Sequence, residues 1–269
     1  MPLRCEFARA IEAGELYLKY QPVLRATTGE IHSLEALLRW HHPIYGHLAA
    51  RDFAFVLQDP SLQEALSLLV LQEALQARAR WVPHLGPIPV SINLSPRWLM
   101  SKTFLDRIEE GLSHAKGSHP APLYIEIIET DILRSTPTLL TNLQDACELG
   151  VQFMLDDFGS GYTSIAELRD LPLHGIKIDR HYVRHIAQNP QQASVILGML
   201  HIAAGFGLLA MAEGVETQRQ QTMLDRLGCH LMQGNGLCPP LAEDELCLLP
   251  KPVPHRPWRA AATDAKWHV

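Results

Sequence analysis

Nearly every short β-like run in this chain ends in, or carries near its end, a residue that an apolar core would not choose. These are Glu35, Asn93, Glu126, Asp156 with Asp157, Lys177, Glu213 and Gln233. Subtracting successive positions, with Asp156 standing for its pair, gives steps of 58, 33, 30, 21, 36 and 20 residues. After the first step, which leaves room for an extra helix, each matches one strand-plus-helix unit. In a barrel of such units the C-terminal strand ends gather on one face, where groups from several strands meet. The pattern therefore predicts a parallel α/β barrel whose polar strand ends converge on one site.

The rest of the chain supports alternation. The β-like runs are "ELYLKYQPVL", "PIPVSINLS", "LYIEIIE", "VQFMLDD", "HGIKID", "GLLAMAEG" and "CHLMQG". Helical patterns cover 61–81, 135–150, 191–205 and 217–228, and the last two end in Gly, a common C-terminal stop. Alternation of this kind favours a parallel sheet. No linker appears before about residue 250, so residues 1–249 read as one domain and the Pro-rich 250–269 as an irregular tail.

The octet "SLEALLRW" (33–40) is ambiguous by itself. Its residues are good helix formers, and Glu35 precedes Arg39 by one helical turn. As a strand it would point Ser33, Glu35, Leu37 and Arg39 one way and Leu34, Ala36, Leu38 and Trp40 the other. Glu35 and Arg39 would then lie roughly 13 Å apart, each free to bind something else. Glu35 begins the series of polar strand ends, so the strand reading prevails.

Composition narrows the function classes. The 269 residues suffice for one barrel, and 47% hydrophobic with 19% charged residues is a globular balance. No apolar run reaches membrane-spanning length. The N-terminal "MPLRCEFARAIEAGELYLKY" reads as neither signal peptide nor anchor. The five cysteines (Cys5, Cys147, Cys229, Cys238 and Cys247) are scattered and form no C-x-x-C, which suggests a reduced, cytoplasmic protein. A net charge of −6 without a basic run argues against a grip on long nucleic acid. A small phosphate-containing ligand stays open, provided that a few fixed cations or bound metals offset its charge.

Glu35, Asn93, Glu126, Asp156 and Asp157 form a hard oxygen set suited to Mg²⁺ or Mn²⁺. Buried together without metal, the acids would repel and take up protons. Two ions about 3.5–4 Å apart suit in-line hydrolysis of a phosphodiester. Lys177 is placed to orient water or neutralise developing charge, and Glu213 to take its proton or act as a further ligand. Each residue also has a plainer reading. "DDFGSG" alone is an Asp/Gly-rich turn. Its D-F-G has no H-R-D loop or Gly-rich strand pair beside it, so a kinase is rejected. Lys177 and Asp179 alone would be a surface pair, Glu213 and Glu216 acids near a helix start, and Asn93 a turn or cap residue. Co-occurrence at strand-plus-helix spacing is what favours a site. His181 and His185 have the i, i+4 spacing of a metal pair but lack H-E-x-x-H. His41 and His42 read as loop residues near the site.

With those residues in view, the chain resembles the EAL-domain family of bacterial cyclic di-GMP phosphodiesterases. The resemblance runs through "YQPVL" (20–24), "EALLRW" (35–40), "SINLSPRWL" (91–99), "EIIET" (126–130), "DDFGSGYTS" (156–164), "KID" (177–179), "AEGVET" (212–217) and "QG" (233–234). A lone E-A-L carries no information; the ordered set, covering about 15–245, is specific.

The resemblance implies a modified TIM (β/α)8 barrel with an antiparallel first strand. It implies Mg²⁺- or Mn²⁺-dependent hydrolysis of cyclic di-GMP to linear pGpG, with two ions in each active site, in a homodimer. Carried over by motif, Glu35, Asn93, Glu126 and Asp156 are ligands of one metal, and Asp156, Asp157 and Glu213 serve the second. Lys177 and Glu213 act on the nucleophilic water with Gln233 close by, while Gln21 and Arg39 contact substrate, Arg39 at a phosphate. Glu129 anchors the loop "DFGSGYTS", and Glu216 is a supporting residue.

Ile128 stands where the family usually has Thr, Ala50 replaces a common Pro, "QDPS" (58–61) replaces Ala-Glu, and Asn235 replaces an aromatic. No expected ligand is missing. The competing reading is a catalytically silent EAL domain that binds cyclic di-GMP or a protein partner; such members typically lose ligands, the Lys or the loop motif. A third reading is an unrelated Mg²⁺-dependent barrel enzyme, which would share the carboxylates but not the ordered set.

Overall fold

The computed structural model describes residues 2–114, 122–129, 136–160 and 165–249. The tail expected over 250–269 and residues 161–164 of the loop motif lie outside the described residues. The strands are β1 (Leu16–Arg25), β2 (Ile31–His42), β3 (Gly46–Ala49), β4 (Val90–Asn93), β5 (Leu123–Ile128), β6 (Val151–Phe158), β7 (Leu173–Ile178), β8 (Leu209–Ala212) and β9 (Leu231–Met232). They follow the order β1-β9-β8-β7-β6-β5-β4-β2-β3, and β1 also pairs with β2. That last pairing closes a barrel of eight strands and leaves β3 as a flap on β2.

Strands β2 and β4 to β9 run parallel, whereas β1 is antiparallel to both its neighbours, β2 and β9. Connection length explains the exception. Only residues 26–30 join β1 to β2, with Gly29 at φ 72, whereas a parallel crossover needs a dozen or more residues. The barrel is completed by two β1–β9 pairs, Leu24 with Met232 and Arg25 with Leu231.

The predicted helices occur at Gln63–Leu85, Pro137–Glu148, Pro190–Gly205 and Gln218–Arg226. Helices Pro2–Ala13 and Phe104–His114 are additional. The long first step holds β3, a short helix Ala54–Leu57 and the helix Gln63–Leu85.

The octet 33–40 is strand, as its place in the series requires. Leu34, Ala36, Leu38 and Trp40 are buried on one face, where Trp40 meets Phe7 of the N-terminal helix at 5.2 Å and Phe53 at 5.8 Å, both edge-to-face. Burial of each large apolar group here contributes roughly 1.5–3 kcal/mol. A one-residue slip would drive Glu35 and Arg39 into that helix layer, so the apolar face fixes the register. Within the barrel, Val23, Met211 and Leu231 cluster with Leu209. Met154 covers Gly175, where an added Cβ would meet its Cε at 2.8 Å. Alternation places these apolar groups one step below the polar strand ends.

Candidate active site

Strand alternation turns Glu35, Asn93, Glu126, Asp156 and Lys177 toward the open end of the barrel. Glu213 follows β8 and Gln233 follows β9; Gln21 on β1 lies directly opposite Glu35. Lys177, 1% exposed, is the hub: its Nζ lies 2.6 Å from Glu213 Oε1, 2.7 Å from Glu126 Oε2, 3.2 Å from Asp156 Oδ1 and 3.7 Å from Glu35 Oε1. The surface-pair reading of Lys177 and Asp179 does not hold, because Lys177 is buried and Asp179 caps the helix Arg180–Arg184. Asn93 Nδ2 donates to Glu35 Oε1 at 3.1 Å. Gln233 Nε2 donates to Glu35 Oε2 at 2.5 Å and to Gln21 Oε1 at 3.3 Å. Gln21 in turn donates to Asn235 Oδ1 and to the Cys238 carbonyl, so the Asn235 departure is tied into the site.

One ammonium faces four carboxylates, and two of them, Glu126 and Glu213, are raised. Burial, with Glu35 and Asp156 nearby, pushes Glu126 well above the ordinary range despite Lys177. Burial pushes Glu213 up to about 8 against the pull of Lys177, with Asp156 and Glu35 adding to the rise. Asp157 rises to about 6 through burial, Asp156 and a hydrogen bond with Asp179. Burial alone would raise Glu35 too, but Lys177 and hydrogen bonds from Gln233, Glu126 and Asn93 hold it low. Burial would lower Lys177; the surrounding acids instead hold it well above its usual value.

This excess of acid over base fits divalent cations. Asp156, Asp157 and Glu213 offer oxygens that all lie within 4.8 Å of one another. Glu35, Asn93 and Glu126 adjoin them around Lys177. All are hard donors of the kind that hold Mg²⁺ or Mn²⁺. Gln233 Oε1 is buried without a hydrogen-bond partner among the described residues, an acceptor suited to bound water.

Asp157 is the one non-glycine residue with positive φ (55) among the described residues, and its N–H donates to Asp156 Oδ1 at 3.0 Å. The turn beyond it is held from below by buried Glu129, whose Oε2 accepts from Gly159 N at 3.1 Å and Ser160 Oγ at 2.7 Å. Ile128, 41% exposed, leaves those bonds intact.

Above the acids lies an open cleft of about 390 Å³, lined by Arg39, Arg51, Arg180 and Glu216 among others. Arg39 Nη1 donates to the Leu38 carbonyl at 2.8 Å. Arg51 and Arg180 are additions from the structure. Arg180 directly follows "KID", a proximity that was readable; Arg51 comes from the 3-10 turn Ala50–Phe53 just after the β3 flap, which no local pattern announces. Ala50 lines the same cleft, whereas Asp59 of "QDPS" accepts two bonds from Ser61 and pairs with Arg4, away from it. His181 and His185 are exposed and join no three-ligand group among the described residues. His41 and His42 end β2 rather than lie in a loop. His42 is buried against Glu6, and His41 stacks on His47.

Comparison with known proteins gives the family and the fold. Cyclic di-GMP phosphodiesterase PA2567 of Pseudomonas aeruginosa is 33% identical over 247 residues, 91% of this chain and 42% of that protein. Cyclic di-GMP phosphodiesterase PdeR of Escherichia coli is 30% identical over 226 residues, 84% of this chain and 34% of that protein. The chain thus spans less than half the length of either relative. The solved PaMucR phosphodiesterase in complex with c-di-GMP superposes with a TM-score of 0.85 at 30% identity, covering 91% of this chain and all 100% of that one. The EAL domain of Mycobacterium smegmatis DcpA gives 0.74 at 31% identity, covering 87% and 96%. The family model described as EAL domain matches residues 4–240, and this chain belongs to the EAL domain family.

Proposed function

We propose that this chain hydrolyses cyclic di-GMP to linear pGpG, using two Mg²⁺ or Mn²⁺ ions. The observation that carries the reading is Lys177, a buried cation held by four acids at the floor of an arginine-lined cleft. The names of the relatives support the substrate. Glu35, Asn93, Glu126 and Asp156 would hold one ion; Asp156, Asp157 and Glu213 would hold the other. When bound, the ions supply charge neutralisation at the phosphoryl oxygens and acidify the attacking water.

The chain's own residues do the rest. Arg39 takes a phosphate of the substrate, and Gln21, opposite Glu35, contacts substrate at the cleft wall. Gln233 Oε1 accepts a hydrogen bond from the water. Glu213, its own proton displaced on metal loading, receives the water's proton. Lys177 offsets the negative charge that grows on the phosphoryl group as the P–O3′ bond breaks. Glu129 holds the turn after Asp157, and Glu216 supports the rim. Residues 1–249 act as the enzyme domain, as a homodimer in the cytoplasm; sedimentation of the purified chain reads the dimer.

The decisive assay incubates the purified protein with cyclic di-GMP and Mn²⁺ or Mg²⁺, with and without EDTA, and follows pGpG by chromatography. Metal-dependent pGpG that EDTA abolishes is the expected result. Tight binding without turnover in either metal would replace this reading with a silent receptor.

The raised acids also set the pH dependence of metal loading. Metal must displace protons from Glu213, near 8, and Asp157, near 6. Affinity therefore rises with pH through this window. Mn²⁺ titrated by EPR should show a dissociation constant at least about tenfold higher at pH 6 than at pH 8. A constant that does not move with pH would contradict proton competition at these carboxylates.

A further inference from the structure

The turn after the Asp156–Asp157 pair is gripped from two sides, and only one grip belongs to Glu129. Tyr182, on the short helix after β7, donates its hydroxyl to the Gly159 carbonyl at 2.5 Å. Glu129 takes the N–H of the same glycine. The Cα of Gly159, at φ 100, is enclosed as well: an added Cβ would meet Met199 Cε at 2.3 Å and Tyr182 Cε2 at 2.8 Å. Asp179, three residues before Tyr182, stands beside Asp157 and helps to raise it. The segment 179–182 thus touches the turn at the carboxylate and again two residues beyond it.

We infer that the Tyr182 hydroxyl is a positioning device for the second metal's ligand Asp157. The argument rests on the metal-dependent reading above. Asp157 occupies a left-handed conformation that costs a non-glycine residue free energy, so its neighbours must hold it there. Glu129 pulls the turn toward β5; Tyr182 pulls the next carbonyl toward β7. Both ties are needed to define where the Asp157 carboxylate stands between Asp156 and Glu213. With one tie cut, the turn pivots about the other, and the cost appears in metal affinity rather than in substrate binding, because Tyr182 does not line the cleft.

The test is Tyr182→Phe, which removes the hydroxyl and keeps the ring against Gly159. Mn²⁺ binding by EPR, at a pH where wild type binds well, is the primary readout. The dissociation constant should rise about fivefold, the effect of one hydrogen bond. KM for cyclic di-GMP at saturating Mn²⁺ should stay unchanged. Met199→Leu, which disturbs the same packing but keeps the hydroxyl, should lower the melting temperature and leave Mn²⁺ affinity alone. A wild-type Mn²⁺ constant in Tyr182→Phe would overturn the inference, as would an equal shift in Met199→Leu. If wild type binds Mn²⁺ but makes no pGpG, the phosphodiesterase reading falls while a fivefold shift in Tyr182→Phe still supports the positioning role.

Discussion

Lys177→Met is expected to lose at least about 10³-fold in turnover of cyclic di-GMP, while its stability depends sharply on pH and metal. Met has similar reach and no charge, so four acids are left facing one another: Glu213, Glu126, Asp156 and Glu35. Removing one partner from a buried ionic cluster costs roughly 3–5 kcal/mol. The acids relieve this by binding protons, so Glu213 and Glu126, already raised, rise further. The sign of the pH effect follows. An acid whose folded pKa lies above its unfolded value near 4.5 holds more protons in the folded state, so stability falls as pH climbs between the two values. Metal-free Lys177→Met should therefore melt progressively lower from pH 5 to pH 8, more steeply than wild type. Mn²⁺ should restore much of the melting temperature, because divalent charge replaces the lost ammonium, yet leave turnover absent. Thermal melts across pH, with and without Mn²⁺, beside the pGpG assay separate the two roles. A variant that turns over within tenfold of wild type would remove Lys177 from the chemistry.

The second large effect is expected at a residue with no chemistry. Gly234→Ala would put a methyl 2.2 Å from the Val215 carbonyl oxygen and 2.3 Å from its nitrogen. Both obstacles are backbone, so no rotamer relieves them. The same segments are laced together: Val215 N donates to the Gln233 carbonyl, Gly236 N to the Val215 carbonyl, and Gln233 N to the Ala212 carbonyl. Forcing them apart separates the two segments that carry Glu213 and Gln233. We expect a loss of at least about 3 kcal/mol, a fall in melting temperature of roughly 6–12 °C, and weaker Mn²⁺ binding in whatever remains folded. A melt that coincides with wild type would show that residues 213–216 shift freely and that Gly234 does not hold the site together.

Gly234 also illustrates what the sequence leaves hidden. "QG" can be read as a motif, but the reason for Gly is the Val215 backbone nineteen residues earlier, brought close only by β8–β9 pairing. The antiparallel first strand is a different case: the family resemblance implied it, and the structure supplies its cause, a connection over 26–30 too short for a parallel crossover. The strand identity of 33–40 was decided by spacing, since local propensity favoured a helix and only the series of strand ends overrode it.

What the sequence by itself determined is the barrel and the set of polar residues that meet at one end of it. Hydrophobic periodicity marks the strands, and polar residues recurring at their ends mark one face, because chain connectivity carries the end of every parallel strand to the same side. What only the tertiary structure decided is who touches whom across that face. Lys177 as hub, Gln21 opposite Glu35, the arginines from the flap and from the short helix, and Tyr182 across the turn from Glu129 are pairs far apart in sequence. Their distances depend on strand register and barrel closure, which are set by the packing of the whole apolar layer rather than by any local pattern.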